Sequence, residues 1–190
     1  VSDISTSSND FIYSRAFQGN TEETSNFVKK MVKYANDNKI NSCLKHFPGY
    51  GNNKDTHTGI AIDERSYEEI ENNDYKPFIA GIEENVPSIL VSHNIVKSID
   101  SEYPASLSKK VNNELRSKLN YTGIIMTDDL AMDAVKEYVS NNTSATLAVN
   151  AGNDMIITSD FLTMKNEVLN SVEEGKIQEE TIDKAVTRVI

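Results

Sequence analysis

Short apolar runs alternate with longer amphipathic segments along this chain. The runs fall around Val1–Ser5, Ile40–Lys45, Ser88–His93, Gly123–Thr127 and Asp154–Thr158. Two of them, "SILVSH" and "GIIMTDD", are almost continuously apolar until they end in polar residues. A parallel strand buried on both faces reads this way, with its chemistry at the C-terminal end. Between the runs the period becomes helical. Thr24–Asn38 places Phe27, Met31 and Tyr34 on one face. Ser66 and Glu69 have the spacing of a capping box and open a segment that Pro77 divides into two helices. Val111, Leu115 and Leu119 form a stripe behind Ser108, a candidate N-cap. Gly152 and Gly175 stand where helices end, and a last helix is expected over Glu179–Val189.

Strand–helix alternation predicts a parallel α/β architecture. Five strands fit either an open doubly wound sheet or part of a (β/α)₈ barrel, and periodicity does not separate the two. A whole barrel typically takes about 250 residues, and this chain has 190.

Composition narrows the partners rather than the fold. A net charge of -10 disfavours nucleic acid and anionic membrane surfaces. No apolar run approaches the ~18 residues of a membrane-spanning helix. The single Cys43 excludes an internal disulfide. The start, "VSDIS", has neither a basic nor an apolar leader region and reads as a trimmed or partial chain, which leaves localisation unknown.

Candidate chemistry gathers at the strand ends. Lys45-His46, His93-Asn94 and Asp128-Asp129 each follow an apolar run directly. In parallel α/β folds such ends share one face, where ligands bind. The stretch "KHFPGYGNNKDTHTG" adds an Asp-x-His step, Asp55-Thr56-His57, in a loop that Gly49, Gly51 and Gly59 allow to bend. A carboxylate on one imidazole nitrogen fixes the tautomer and supports the ring when the other nitrogen takes a proton. The bland reading of that step is an Asx turn beside an exposed histidine. His46, His57 and His93 have no metal-ligand spacing, so neither a metal nor a cofactor is expected. Phosphate-loop and Gly-x-Ser-x-Gly fingerprints are absent too. Asp128, at the rim of a rigid strand, is the candidate nucleophile, since a carboxylate held there can attack an anomeric carbon. Asp129 reads as the cap of the next helix.

Together "KHFPGYGNNKDTHTG", "PASLS", "GIIMTDDLAM" and "AGNDMII" resemble the β-N-acetylglucosaminidases of glycoside hydrolase family 3. The resemblance covers nearly the whole chain, with the segments in family order. It implies a retaining exo-glycosidase on a (β/α)₈ barrel, of which residues 1–190 are a fragment of a single catalytic domain. About five β/α units are present in that reading. "VSDIS" matches the third strand, and the first two strands, with a substrate-binding Asp, are missing. The resemblance makes Asp128 the nucleophile and His57 the acid/base, with Asp55 behind it. Lys45, His46 and Arg15 become sugar contacts. Two departures stand out: "SRAFQG" has Ala where relatives have Ser, and Tyr50 replaces a histidine. The implied partner is a glycan carrying β-linked N-acetylglucosamine, from peptidoglycan fragments or chitooligosaccharides. The implied fragment would leave sheet edges open to self-association. The rival readings are a β-glucosidase or xylosidase of the same superfamily, and a non-catalytic carbohydrate-binding protein.

Overall fold

A computed structural model describes residues 1–51, 53, 59–139 and 143–190. Five strands occur among them: β1 (Cys43–Phe47), β2 (Ile62–Asp63), β3 (Ser88–Val91), β4 (Ile95–Val96) and β5 (Ile124–Thr127). The helices are α1 (Thr21–Asp37), α2 (Tyr67–Asn72), α3 (Tyr75–Glu83), α4 (Lys109–Asn113), α5 (Asp133–Tyr138), α6 (Ser144–Ala151), α7 (Phe161–Glu173) and α8 (Glu179–Val189).

The main sheet is parallel in the order β1-β3-β5, and β2 pairs in parallel with β4. Main-chain bonds extend the larger sheet on both sides. Ser2 N–H donates to the Lys45 carbonyl at 2.7 Å, and Thr127 N–H donates to that of Met155 at 3.2 Å. Five tracks thus lie side by side in chain order. A doubly wound sheet reverses its order at a switch point, whereas a barrel wall does not. The order here is that of a barrel wall, though among the described residues the sheet stays open.

The two outer tracks depart from expectation. Val1–Ser5 forms no regular strand, and 154–158 makes a single bridge, Met126 to Met155. At both edges an aspartate side chain takes an amide of the neighbouring strand. Asp3 accepts from His46 N–H, and Asp154 accepts from Ile125 N–H at 2.8 Å. A side chain in that place interrupts the main-chain ladder.

Helix α1 begins earlier than its pattern suggested. Asn20 and Glu23 form a reciprocal capping box, and each satisfies an amide that the helix leaves unpaired. Its buried face is also a different one. Thr24, Val28 and Val32 pack inward, while Met31 and Tyr34 are exposed. The inward stripe lies against α3, where Gly81 lets the layers approach. A Cβ there would stand 2.4 Å from the Leu44 side chain. Phe47 anchors this core, with its ring 5.2 Å from both Tyr75 and Phe78.

Elsewhere the local signals hold. Ser66 caps α2, a break precedes Tyr75, and Pro77 sits in the first turn of α3. Ser108 caps α4 by accepting from Val111 N–H. Beyond Asn113 that helix widens into a π turn over Glu114–Lys118, with Val111 and Leu115 still buried. Gly152 and Gly175 adopt positive φ at helix ends, and α8 has its expected bounds.

Candidate active site

Strand β1 delivers two polar residues to one place through a bulge. Lys45 pairs with Leu90 and Phe47 with Val91, so His46 is an extra residue in the ladder. Bulges of this kind re-aim side chains at strand ends. His46 is almost fully buried, and its Nε2 lies 4.0 Å from Asp128 Oδ2. Asp128 is a quarter exposed at the end of β5, where its amide donates to the Val91 carbonyl at 3.0 Å. Its Oδ1 accepts from the Asp129 amide at 2.9 Å. The other carboxylate oxygen, Oδ2, lies beside the imidazole.

The Lys45 side chain makes no hydrogen bond or ion pair among the described residues. It lies close enough to Cys43 to act on that thiol electrostatically, as does Asp128. Burial is the larger influence and pushes the Cys43 thiol up. Arg15 closes a short 3₁₀ turn, Tyr13–Arg15, and is exposed. No contact among the described residues joins it to Asp128 or His46. Asp55 and His57 lie outside the described residues.

Asp129 does not cap the next helix, whose N-cap is Met132. Its Oδ1 instead ties the turn together, accepting from Ala131 N–H at 2.8 Å and Ser159 N–H at 3.0 Å. Burial pushes this carboxyl up, but those amides outweigh it and hold it below the usual range. His93, fully buried, supports the same turn. Its Nε2–H donates to the Asp129 carbonyl at 3.0 Å, and its Nδ1 accepts from the Ser106 hydroxyl at 2.7 Å. Burial lowers its pKa, against the pull of Asp128, and favours the neutral ring that this pattern requires.

The stretch after β1 rests on a buried charge cluster that the sequence did not announce. The Arg65 guanidinium meets Asp63 through Nε and Nη2 and Asp74 through Nη1, at 2.7–3.1 Å. One cation thus serves two buried carboxylates. Burial works against the Arg65 charge, yet both partners outweigh it and raise its pKa. Asp74 is left under-compensated. Burial pushes it up to about 6, with Arg65 opposing and the Asp63 and Asp3 charges adding. Its Oδ1 is buried without a hydrogen-bond partner among the described residues. Gly49 and Gly51, both at positive φ, press on this cluster. A Cβ at Gly49 would lie 2.2 Å from Asp74 Oδ1, and one at Gly51 would lie 2.5 Å from the Arg65 guanidinium. Close approach, beyond freedom to bend, explains these glycines. Asn53 adds a tie through Nδ2, to the Tyr50 carbonyl at 2.8 Å and Asp63 Oδ2 at 3.0 Å. At the far end, Ile95 N–H donates to the Ala61 carbonyl at 2.8 Å.

Among the described residues no three His, Cys, Asp or Glu side chains form a metal-binding group. No helix there is long and apolar enough to cross a membrane. Sequence reasoning gives Asp3 no role and sets His93 at a strand end without a partner. A lone acidic residue inside the strand-like "VSDIS" was the available signal for the first.

Polar and charged residues gather at the C-terminal ends of the parallel strands, the face where ligands bind in α/β proteins. Comparison makes the class specific. The chain matches the glycosyl hydrolase family 3 N-terminal domain across residues 1–190, and it belongs to that family. A beta-hexosaminidase of Hydrogenovibrio crunogenus is 32% identical over 160 residues, 83% of this chain and 44% of that protein. Another, from Nitrosomonas eutropha, is 36% identical over 130 residues, 68% of this chain and 37% of its own length. The chain thus spans less than half the length of these curated relatives. Among solved structures, a family 3 beta-N-acetylglucosaminidase from Paenibacillus sp. str. FPU-7 superposes with a TM-score of 0.92 at 28% identity. That match covers 98% of this chain and 37% of the other. The beta-N-acetylglucosaminidase of Thermotoga maritima gives 0.81 at 25% identity, covering 90% and 38%.

Proposed function

We propose that these residues carry the catalytic face of a retaining β-N-acetylhexosaminidase and belong to a single barrel domain. The substrate in this reading is a terminal β-linked N-acetylglucosamine on peptidoglycan fragments or chitooligosaccharides. The observation that carries the proposal is the Asp128 carboxylate, part-open at a strand end and 4.0 Å from His46 Nε2, in a chain of this family.

Asp128 attacks the anomeric carbon while protonated His57 donates to the leaving oxygen. The bond from sugar to aglycone breaks as the bond to the carboxylate forms. Neutral His57 then takes a proton from water, which releases the sugar with retained configuration. Asp55 orients the imidazole in both steps. Lys45, His46 and Arg15 hold the sugar. The rigid turn behind Asp128, tied by Asp129 and His93, keeps the nucleophile from swinging away. A histidine here takes the place of the second carboxylate common among glycosidases.

Turnover of 4-nitrophenyl N-acetyl-β-glucosaminide against the matching β-glucoside and β-xyloside, measured on the full-length protein, tests this reading. The acetamido substrate should be hydrolysed far faster, with β-configured product appearing first by NMR. Preference for the glucoside or xyloside would move the chain to another branch of the family. Binding of the sugar without turnover would favour a carbohydrate-binding role.

A further inference from the structure

Asp3 lies in the extended segment beside β1 and is fully buried. Among the described residues, every group hydrogen-bonded to its carboxylate carries nitrogen. The His46 amide donates at 3.1 and 3.2 Å, the Tyr50 amide donates to Oδ1 at 2.8 Å, and His46 Nδ1 lies 2.9 Å from Oδ2. A backbone amide can only donate, so Asp3 is fixed as an acceptor. Its Oδ2 is shared between the His46 amide and the ring, and Nδ1 must supply the proton between them. The other ring nitrogen, Nε2, then carries the lone pair whenever the imidazole is neutral. That nitrogen faces Asp128 Oδ2 at 4.0 Å, too far for a direct hydrogen bond. Two acceptors that face one space select a ligand group that donates.

We propose that Asp3 is a positioning residue that fixes the tautomer and orientation of His46, so that Nε2 presents a lone pair beside Asp128 and accepts a hydrogen bond from a hydroxyl of the bound sugar. The sugar part of this inference rests on the glycosidase reading; the Asp3–His46 part does not. Asp3 touches no reacting atom and acts only through the imidazole. The same carboxylate binds the amides of both His46 and Tyr50, so it also fixes the main chain from which the following loop departs.

Nitrogen NMR of the protein with ¹⁵N-labelled histidine, at about pH 8 where imidazole is ordinarily neutral, reads the tautomer directly. His46 is assigned by the signal lost in His46→Gln. The expected spectrum has Nδ1 protonated and Nε2 bare. A protonated Nε2, or rapid exchange between tautomers, would overturn the proposal. In Asp3→Asn the amide group can present its NH₂ to Nδ1, and the populations should invert towards Nε2–H. An unchanged spectrum in a folded variant would show that Asp3 does not set the tautomer. If this variant does not fold, the unmodified protein still decides the question. Titration with N-acetylglucosamine separates the two readings. The His46 Nε2 signal should move as it accepts a hydrogen bond. Saturating sugar that perturbs other signals and leaves Nε2 in place would overturn the hydroxyl contact. No binding at all would count against the glycosidase reading and leave the tautomer result as support for Asp3.

Discussion

Replacing Asp74 with asparagine removes one of two negative charges that share a single guanidinium. The carboxyl rises from its ordinary 3.8 to about 6, chiefly through burial. At about 1.36 kcal/mol per pH unit, that rise corresponds to a cost of about 3 kcal/mol for holding Asp74 ionised in the fold. The folded protein therefore binds this proton more tightly than the unfolded chain does. Stability from Asp74 is fully present below the unfolded value and is lost as pH rises through about 6. Asp129 and Asp100, both held below their usual values, work in the opposite direction and lose their contributions in acid. The difference between Asp74→Asn and the unmodified chain cancels those common contributions. Asparagine imitates the neutral acid, so the variant should gain about 3 kcal/mol on the unmodified chain between about pH 4 and about pH 7.5. Urea unfolding followed by circular dichroism measures this, since the chain has no tryptophan. A difference that stays flat across the range, or grows towards acid, would refute the account of one cation between two buried carboxylates.

Exchange of His57 for alanine should slow glycosides with poor leaving groups far more than activated aryl glycosides, because only the former need a full proton. Asp55→Ala should repeat the pattern more weakly, and an equal loss across a leaving-group series would assign His57 to binding or loop structure instead. His93→Phe strips the buried Ser106 hydroxyl of its partner and should cost about 1–3 kcal/mol in denaturant unfolding; no measurable loss would show that the bridge to the Asp129 turn is dispensable. The groove that Phe27, Met31, Tyr34 and Ile40 line, about 550 Å³, leaves apolar surface beside β1. The 190-residue chain is therefore expected to self-associate in light scattering and to show little turnover, while a fully active monomer would contradict that expectation.

Much of the frame was legible because its signals are local. "SILV" and "IIMT" read as buried strands, and β3 is buried throughout while β5 is buried only at alternate residues; the caps at Ser66, Ser108, Gly152 and Gly175 depend on nearest neighbours. Helix α1 was harder, because it carries two apolar stripes. Thr24-Val28-Val32 and Phe27-Met31-Tyr34 are both plausible faces, and only the close approach allowed by Gly81 decides between them. The site shows the same division. Lys45, His46 and Asp128 stood out as polar residues ending apolar runs. Asp3 acts through His46 and Tyr50, 43 and 47 residues away, and no short-range pattern announces such bonds. Asp129 followed the composition of a cap but serves a turn, because Ser159 comes from a distant segment to share its carboxylate.

Covalent trapping tests the central claim most directly. A slow-turnover 5-fluoro analogue of N-acetylglucosamine with a good leaving group should glycosylate the nucleophile, forming a glycosyl ester as the leaving group departs, and proteolysis with mass spectrometry would locate it. The account predicts the sugar on Asp128, within the peptide containing "GIIMTDD", and no label in Asp128→Ala that remains folded. A label on any other carboxylate would contradict it, as would catalysis that persists in that variant at a tenth of the original rate.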